Sequence, residues 1–327
     1  MVAWDRIGTC FIIAYRYAVK MRSVPSLSNE VSLSFAGPVG QVKAFLDPIG
    51  AGLRALCVED IDLVQSYPRG SEAPFFSGRT LAPWPNRLED GAWELDGRLL
   101  SVPVTEPDRN NALHGLLRDR SYEATKTSES SATFCTKLSP TQGYPFTLEI
   151  AITYELGASG ITVKHEARNV SNSAAPFAAG AHPFIKCGHN PLPSLSLTSQ
   201  VLSYLEVNER LLPTAERDIS GGDCDIRFPR VLSSLSLDTA FRVSTHAPAV
   251  LRAPDGSRTE LWQDASWGWL QIFLTPDYPS PDGPVWALAL EPMTAPPNAL
   301  KTGEDLIWLE PGQTWQGMWG ISYCGAS

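Results

Sequence analysis

No two of the six cysteines, at positions 10, 57, 135, 187, 224 and 324, stand close enough for a CxxC metal or redox site. The chain is also too large for a disulfide mini-scaffold, and scattered free thiols fit a reducing cytoplasm. A long apolar run is missing too. The stretch CFIIAYRYAVK (10–20) is preceded by Asp5 and interrupted by Arg16. It falls short of the about 20 apolar residues a membrane span needs, and no small-residue cleavage site follows it. Residues 1–34 are predicted to be a flexible N-terminal extension, within which Met21 would also serve as a start. Positive charge is scarce, with 26 Lys and Arg against 35 Asp and Glu and a net charge of −9. That balance provides no basic face for nucleic acid, although a local basic pocket for one phosphate is compatible with it. A sustained apolar period near 3.6, heptads and fixed-length repeats are all lacking, so neither a helical bundle nor a repeat array is expected.

What is present is turn chemistry and alternation. The 27 prolines and 25 glycines are spread along the chain, and 43% of residues are hydrophobic. This suits an all-β protein with many turns and a sizeable core. FTLEIAITYEL (146–156) and GITVKHEARNV (160–170) face each other across a short turn and read as a long hairpin. AWELDGRLLSVPV (92–104) reads as a second, with Asp96-Gly97 as a type I′ turn. WLQIFLT (269–275), VWALALE (285–291) and TWQGMWGISY (314–323) read as further strands. So many strands require two packed sheets or a closed barrel. No Pro/Gly/Ser-rich linker divides the body, so one domain is expected over residues 35–327.

Several polar residues sit where architecture alone does not ask for them. They are His114 in NALHGLL, His182 in AGAHPFIK, Asp238 in SLSLDTAFRV, Asn86 and Arg87 in APWPNRLEDG, and Glu291 in LALEPMTAPPNAL. Each has a plain alternative. A lone histidine on an apolar strand is commonly a satisfied core group, and His165 and His246 are read that way, with His189 as a loop residue. Arg87 would pair with Glu89 or Asp90 at the surface, where such a pair contributes little.

Taken together, GRTLAPWPNRLEDG, NALHGLLR, GAHPFIK, LDTAFRV, LQIFLTP and LALEPMTAPPNAL resemble, in order and spacing, the motifs of the aldose 1-epimerase (galactose mutarotase) family. The resemblance implies a large antiparallel β-sandwich with few short helices, no metal and no organic cofactor. It implies a carbohydrate isomerase that interconverts α and β anomers of a monosaccharide. By position it makes Glu291 the general base and His182 the general acid, and it places His114, Asp238, Asn86, Arg87 and Gln271 on the sugar. The chain departs from the galactose enzymes of the family in reading APWPNRL and HGL where they often have GRYANRI and HGG. Those positions adjoin the sugar, so galactose specificity does not carry over.

The residue types suit the chemistry. Opening a pyranose needs a base at the C1 hydroxyl and an acid at the ring oxygen, and the roles swap on closure. Histidine serves near neutral pH without much tuning, and partial burial would raise the glutamate toward that range. Asp238 and Arg87 suit adjacent hydroxyls. Seven of the ten tryptophans lie between Trp262 and Trp319, and Trp84, between two prolines beside Asn86, is the sugar-stacking candidate outside that group. Three other readings stand beside this one. They are a carbohydrate-binding protein without turnover, a glycoside hydrolase needing a second carboxylate, and a hexose-6-phosphate 1-epimerase using Arg79, Arg118 and Arg120. A metal site from His114, His182 and Asp238 lacks a ligand spacing. A monosaccharide is the expected partner, with no nucleic acid or membrane, and the chain is expected to be cytoplasmic and a monomer or homodimer.

Overall fold

The computed structural model describes residues 29–37, 40–244 and 248–326. Met21, Cys10 and most of the predicted extension lie outside the described residues, as does His246. The expected boundary at residue 34 falls inside the first described strand, Val31–Gly37, whose partner is Gly40–Asp47.

All ladders between the named strands are antiparallel, and the one α-helix among the described residues is the single turn Ala299–Thr302. Two large sheets dominate. The nine-stranded sheet contains the predicted long hairpin, Leu148–Gly157 against Gly160–Asn169, which continues onto Thr314–Cys324. Alternation sets its inner face: Leu148, Ile150, Ile152, Tyr154 and Leu156 are buried while Glu149 and Glu155 are exposed. Full burial of each such side chain is worth about 1.5–3 kcal/mol, and a slip of one residue would turn the whole set outward. The second predicted hairpin also forms, Ala92–Leu95 with Arg98–Ser101, and Asp96 and Gly97 take the positive φ values (49° and 74°) that a type I′ turn requires.

The eight-stranded sheet runs in the order Pro213–Asp218, Val201–Val207, Asp238–Val243, Trp269–Tyr278, Val285–Met293, Gly180–Ala181 and Thr80–Leu81, with Phe184–Ile185 paired to the side of Val285–Met293. Its central strands are buried on both faces. Leu270, Ile272, Leu274, Leu288 and Leu290 join the main core with residues of the nine-stranded sheet. The alternate residues, Gln271 and Glu291 among them, face the other way.

A four-stranded sheet, Val31–Gly37 to Ile61–Asp62, adds its buried residues to the main core and bonds to the edge segments of the eight-stranded sheet. Leu53 N donates to Gly78 O at 3.0 Å, Thr80 N to Gly50 O at 2.9 Å, Gln65 N to Phe184 O at 2.8 Å and Lys186 N to Leu63 O at 2.9 Å. Gly78 is obligatory here. Its φ is +73°, and a Cβ would sit 2.1 Å from the Leu53 carbonyl oxygen.

Candidate active site

Gln271 and Glu291 are direct cross-strand partners, and Gln271 Nε2 donates to Asp238 Oδ1 on the next strand at 2.6 Å. One row of side chains thus crosses three strands. His182 extends the row. It follows Gly180–Ala181 and precedes Pro183, which has no N–H and interrupts the pairing along Val285–Met293. Main-chain bonds fix this corner: Gly78 N to His182 O at 2.8 Å and His182 N to Arg79 O at 3.1 Å. The outcome is a side-chain contact between His182 Nε2 and Glu291 Oε1 at 3.3 Å, with both residues at most 4% exposed. The other atom of each pair, His182 Nδ1 and Glu291 Oε2, is buried with no hydrogen-bond partner. Leaving such an atom unpaired costs about 1–3 kcal/mol.

The opposite wall comes from two short strands, Arg87–Glu89 and Asn111–Leu113, paired antiparallel. Just beyond them Asn86 and His114 clasp each other. His114 N donates to Asn86 O at 2.8 Å, and Asn86 N donates to His114 Nδ1 at 3.2 Å. Both residues have left-handed backbone, φ 54° and 60°, a conformation that Asn and His adopt more readily than most. The bond to Nδ1 puts the neutral ring's proton on Nε2. The His114 and His182 rings meet edge to face, centroids 5.3 Å apart.

Arg87 does not form the surface pair with Glu89 or Asp90 that its sequence neighbours suggest. Those carboxylates bind Arg210 and Lys301 instead. Arg87 turns inward onto Glu106 through two bonds, Nε to Oε2 at 2.9 Å and Nη2 to Oε1 at 3.0 Å. Arg109 and Asn111 also bind Glu106, at 3.1 and 3.0 Å.

Burial dominates the electrostatics. It pushes His182 down to about 3 and lowers His114 well below the usual imidazole range, with His182, Arg118 and Arg87 adding to the effect on His114. It pushes Glu291 well above the usual carboxylate range, Asp238 adding to the shift and Arg87 opposing it. Burial raises Asp238 as well, against the pull of Arg87 and Arg109. At Glu106 burial pushes up, but the hydrogen bonds and charge of Arg87 outweigh it and the group ends low. The histidine is therefore far more strongly tuned than its type alone suggests. Burial thus disfavours charge on both members of the His182–Glu291 pair.

His114, His182 and Glu291 each place one potential ligand atom within 4.8 Å of the others, whereas the sequence had suggested Asp238 as the third member. The Asn86 N–H at Nδ1 and the resulting proton on Nε2 leave His114 no free lone pair for a metal, so the donor set does not fit one.

Seven of the eight expected site residues converge: Asn86, Arg87, His114, His182, Asp238, Gln271 and Glu291. Trp84 does not join them. It is 1% exposed within the main core. Among the C-terminal tryptophans, Trp267, Trp269 and Trp319 are fully buried. The aromatic groups at the histidines are phenylalanines instead. Phe184 stacks on His182 at 5.3 Å and 25°, and Phe76 meets His114 at 5.3 Å. His165 is a core group as expected, accepting from Trp319 Nε1 at 2.9 Å. Glu106 escaped the sequence reading. It lies among turn residues in TEPDRN, and only the arginine in the neighbouring NR motif hinted at an inward counter-charge.

Comparison with known proteins bears on the family and the fold. A family model described as aldose 1-epimerase matches residues 39–322. The uncharacterized protein YihR of Escherichia coli strain K12 is 28% identical over 278 residues, covering 84% of this chain and 88% of that protein. Human galactose mutarotase is 26% identical over 164 residues, a match that spans 48% of this chain and 46% of the human protein. In structure, a GalM/aldose epimerase homologue from C. elegans superposes with a TM-score of 0.80 at 18% identity, covering 91% of this chain and 100% of that one. The galactose 1-epimerase of Lactobacillus acidophilus NCFM gives 0.76 at 17% identity, over 92% and 100% of the two chains.

Proposed function

The chain belongs to the aldose 1-epimerase family, and on that footing we propose that it interconverts the α and β anomers of a free hexose. The contact between His182 and Glu291, each with one buried atom unpaired, is the observation that carries this reading. The C1 hydroxyl and the ring oxygen share one carbon, so two groups a few ångströms apart can serve both.

Glu291 takes the proton of the C1 hydroxyl, and His182 gives one to the ring oxygen. The C1–O5 bond breaks as C1–O1 becomes a carbonyl. Rotation about C1–C2 turns the other aldehyde face toward the returning C5 hydroxyl, and the same two groups run in reverse on closure. Opening begins with carboxylate and imidazolium and ends with carboxylic acid and imidazole. Burial favours the second arrangement, so the pair's preferred proton distribution matches the open-chain stage. The pair carries one proton in total before and after opening, the exchange passing through the sugar, and no net charge enters or leaves the buried site.

The surrounding groups orient the sugar. Asp238 already accepts from Gln271 at Oδ1, leaving Oδ2 for a hydroxyl. Arg87, held by Glu106, offsets negative charge on Asp238 and Glu291. The free sugar is favoured over a hexose 6-phosphate because the candidate arginines are committed elsewhere. Arg79 donates to the Arg118 carbonyl, Arg118 to the Leu113 carbonyl and Asp119, and Arg120 is exposed.

The test follows α-glucose and α-galactose, freshly dissolved, by polarimetry and by NMR exchange between anomeric signals. Catalysed equilibration is expected for at least one aldose. Saturable sugar binding without acceleration would instead support a carbohydrate-binding protein.

A further inference from the structure

Phe75 and Phe76 run consecutively through left-handed backbone, with φ 47° and 58°. Such a conformation is unfavourable for bulky side chains and persists only where its surroundings enforce it. Here it places the rings. Phe76 meets the His114 imidazole at 5.3 Å with a 65° interplanar angle, and the Arg118 guanidinium lies over the Phe76 ring at 4.2 Å. Arg118 also donates to the carbonyl of Leu113, the residue just before His114, and to Asp119. His114 is thus held from three directions: by the Asn86 main chain, by the Phe76 ring, and through its preceding carbonyl by Arg118.

We propose that Phe76 and Arg118 are positioning residues for His114, fixing its ring as a neutral Nε2–H donor to the sugar while proton transfer stays with His182 and Glu291. This rests on the anomer-exchange reading of the site. The ring's orientation matters because of its asymmetry. With Nδ1 against the Asn86 N–H, Nε2 carries the proton. A flipped ring would set a carbon against that N–H and offer the sugar a C–H where the donor belongs. The bond from Asn86 N selects the unflipped ring, and Phe76 packs against the imidazole to keep it seated on that bond. The absence of any need for His114 to titrate also agrees with its burial and with the positive charge of Arg118 close by.

Nitrogen-15 NMR of histidine-labelled protein tests this directly. Wild-type His114 is expected to show one tautomer, protonated at Nε2, unchanged through the pH range of activity. Phe76→Leu should mix ring states and lower kcat/KM by about tenfold to a hundredfold, the scale of a misplaced binding group, without moving the pH midpoints. Phe76→Tyr should restore most of the loss. His114→Gln, whose amide can still donate, should retain more activity than His114→Leu. If Phe76→Leu fails to fold, Arg118→Met carries the same measurements. A wild-type His114 that is protonated at Nδ1 or titrates with activity overturns the proposal, as does a folded Phe76→Leu protein with an unchanged tautomer and unchanged kinetics. A wild-type protein inactive on every aldose would overturn the anomer-exchange reading instead, and the tautomer spectrum would still decide whether Phe76 fixes the ring.

Discussion

His182 and Glu291 touch at 3.3 Å from neighbouring segments of one sheet, and each keeps a buried atom unpaired on its far side. Burial disfavours charge on both groups. In the proposed reaction, the two ways of placing one proton on the pair are the beginning and the end of a ring opening.

Glu291→Gln keeps the side chain's size and removes its capacity as a base. Anomer exchange should fall by about 10²- to 10⁴-fold, the usual contribution of a positioned acid or base, while sugar binding persists. NMR exchange spectroscopy on both proteins measures the rate, and titration calorimetry the binding. Equal rates would show that the base is another group.

His182→Asn should cripple turnover comparably. In the wild type, activity should hold through neutral pH and decline in acid only as a second proton enters the pair, since burial pushes His182 down to about 3. A near-normal rate for the variant at neutral pH would mean that something else protonates the ring oxygen.

Glu106 holds Arg87 in a nearly buried ion pair, with side chains 6% and 11% exposed. Glu106→Ala leaves that guanidinium uncompensated and should cost about 3–5 kcal/mol of stability. Arg87 would also lose its orientation, so kcat/KM should drop further than the stability change alone explains. Urea unfolding and steady-state kinetics on the same preparation separate the two effects. An unchanged urea midpoint would mean that the charge of Asp238 compensates Arg87 without Glu106.

His165 gives a clean acid-stability signal, because burial alone lowers it to about 3. Above the unfolded value near 6.5 the ring is neutral in both states and stability does not change on its account. As pH falls below that, the unfolded chain gains a proton that the folded chain refuses. Stability should then fall by up to about 1.4 kcal/mol per pH unit until about pH 3. His165→Gln should flatten the slope of urea stability against pH by up to one proton, after an initial loss from the missing Trp319 bond. Identical slopes would mean that His165 becomes charged without unfolding.

Strand alternation was plain in the long hairpin because one face of its first strand is core and the other solvent. FTLEIAITYEL and its partner pair as their pattern indicated, and the Asp96-Gly97 turn declares itself by its own backbone requirements. The site was legible only through its motifs' resemblance to a family. No local periodicity reveals that His182 and Glu291 meet, since strand pairing between distant segments brings them together. Trp84 misled because its flanking prolines suggest an exposed loop, whereas the chain turns the indole into the core. Glu106 stayed hidden because its burial depends on a guanidinium from another strand, and Phe76 because left-handed backbone at a phenylalanine has no sequence signature.

The four-stranded sheet at the start of the described chain supplies none of the proposed chemical groups, yet its Leu53 and Gly50 hold the segment from Gly78 to Thr80, and that segment holds the main chain of His182 on both sides. It works as a jig for the imidazole. Loosening the jig, as a methyl group at Gly78 would, should leave every proposed reactive side chain present and still detune the proposed reaction, so these strands belong to the working parts of the molecule as much as the residues assigned to the sugar.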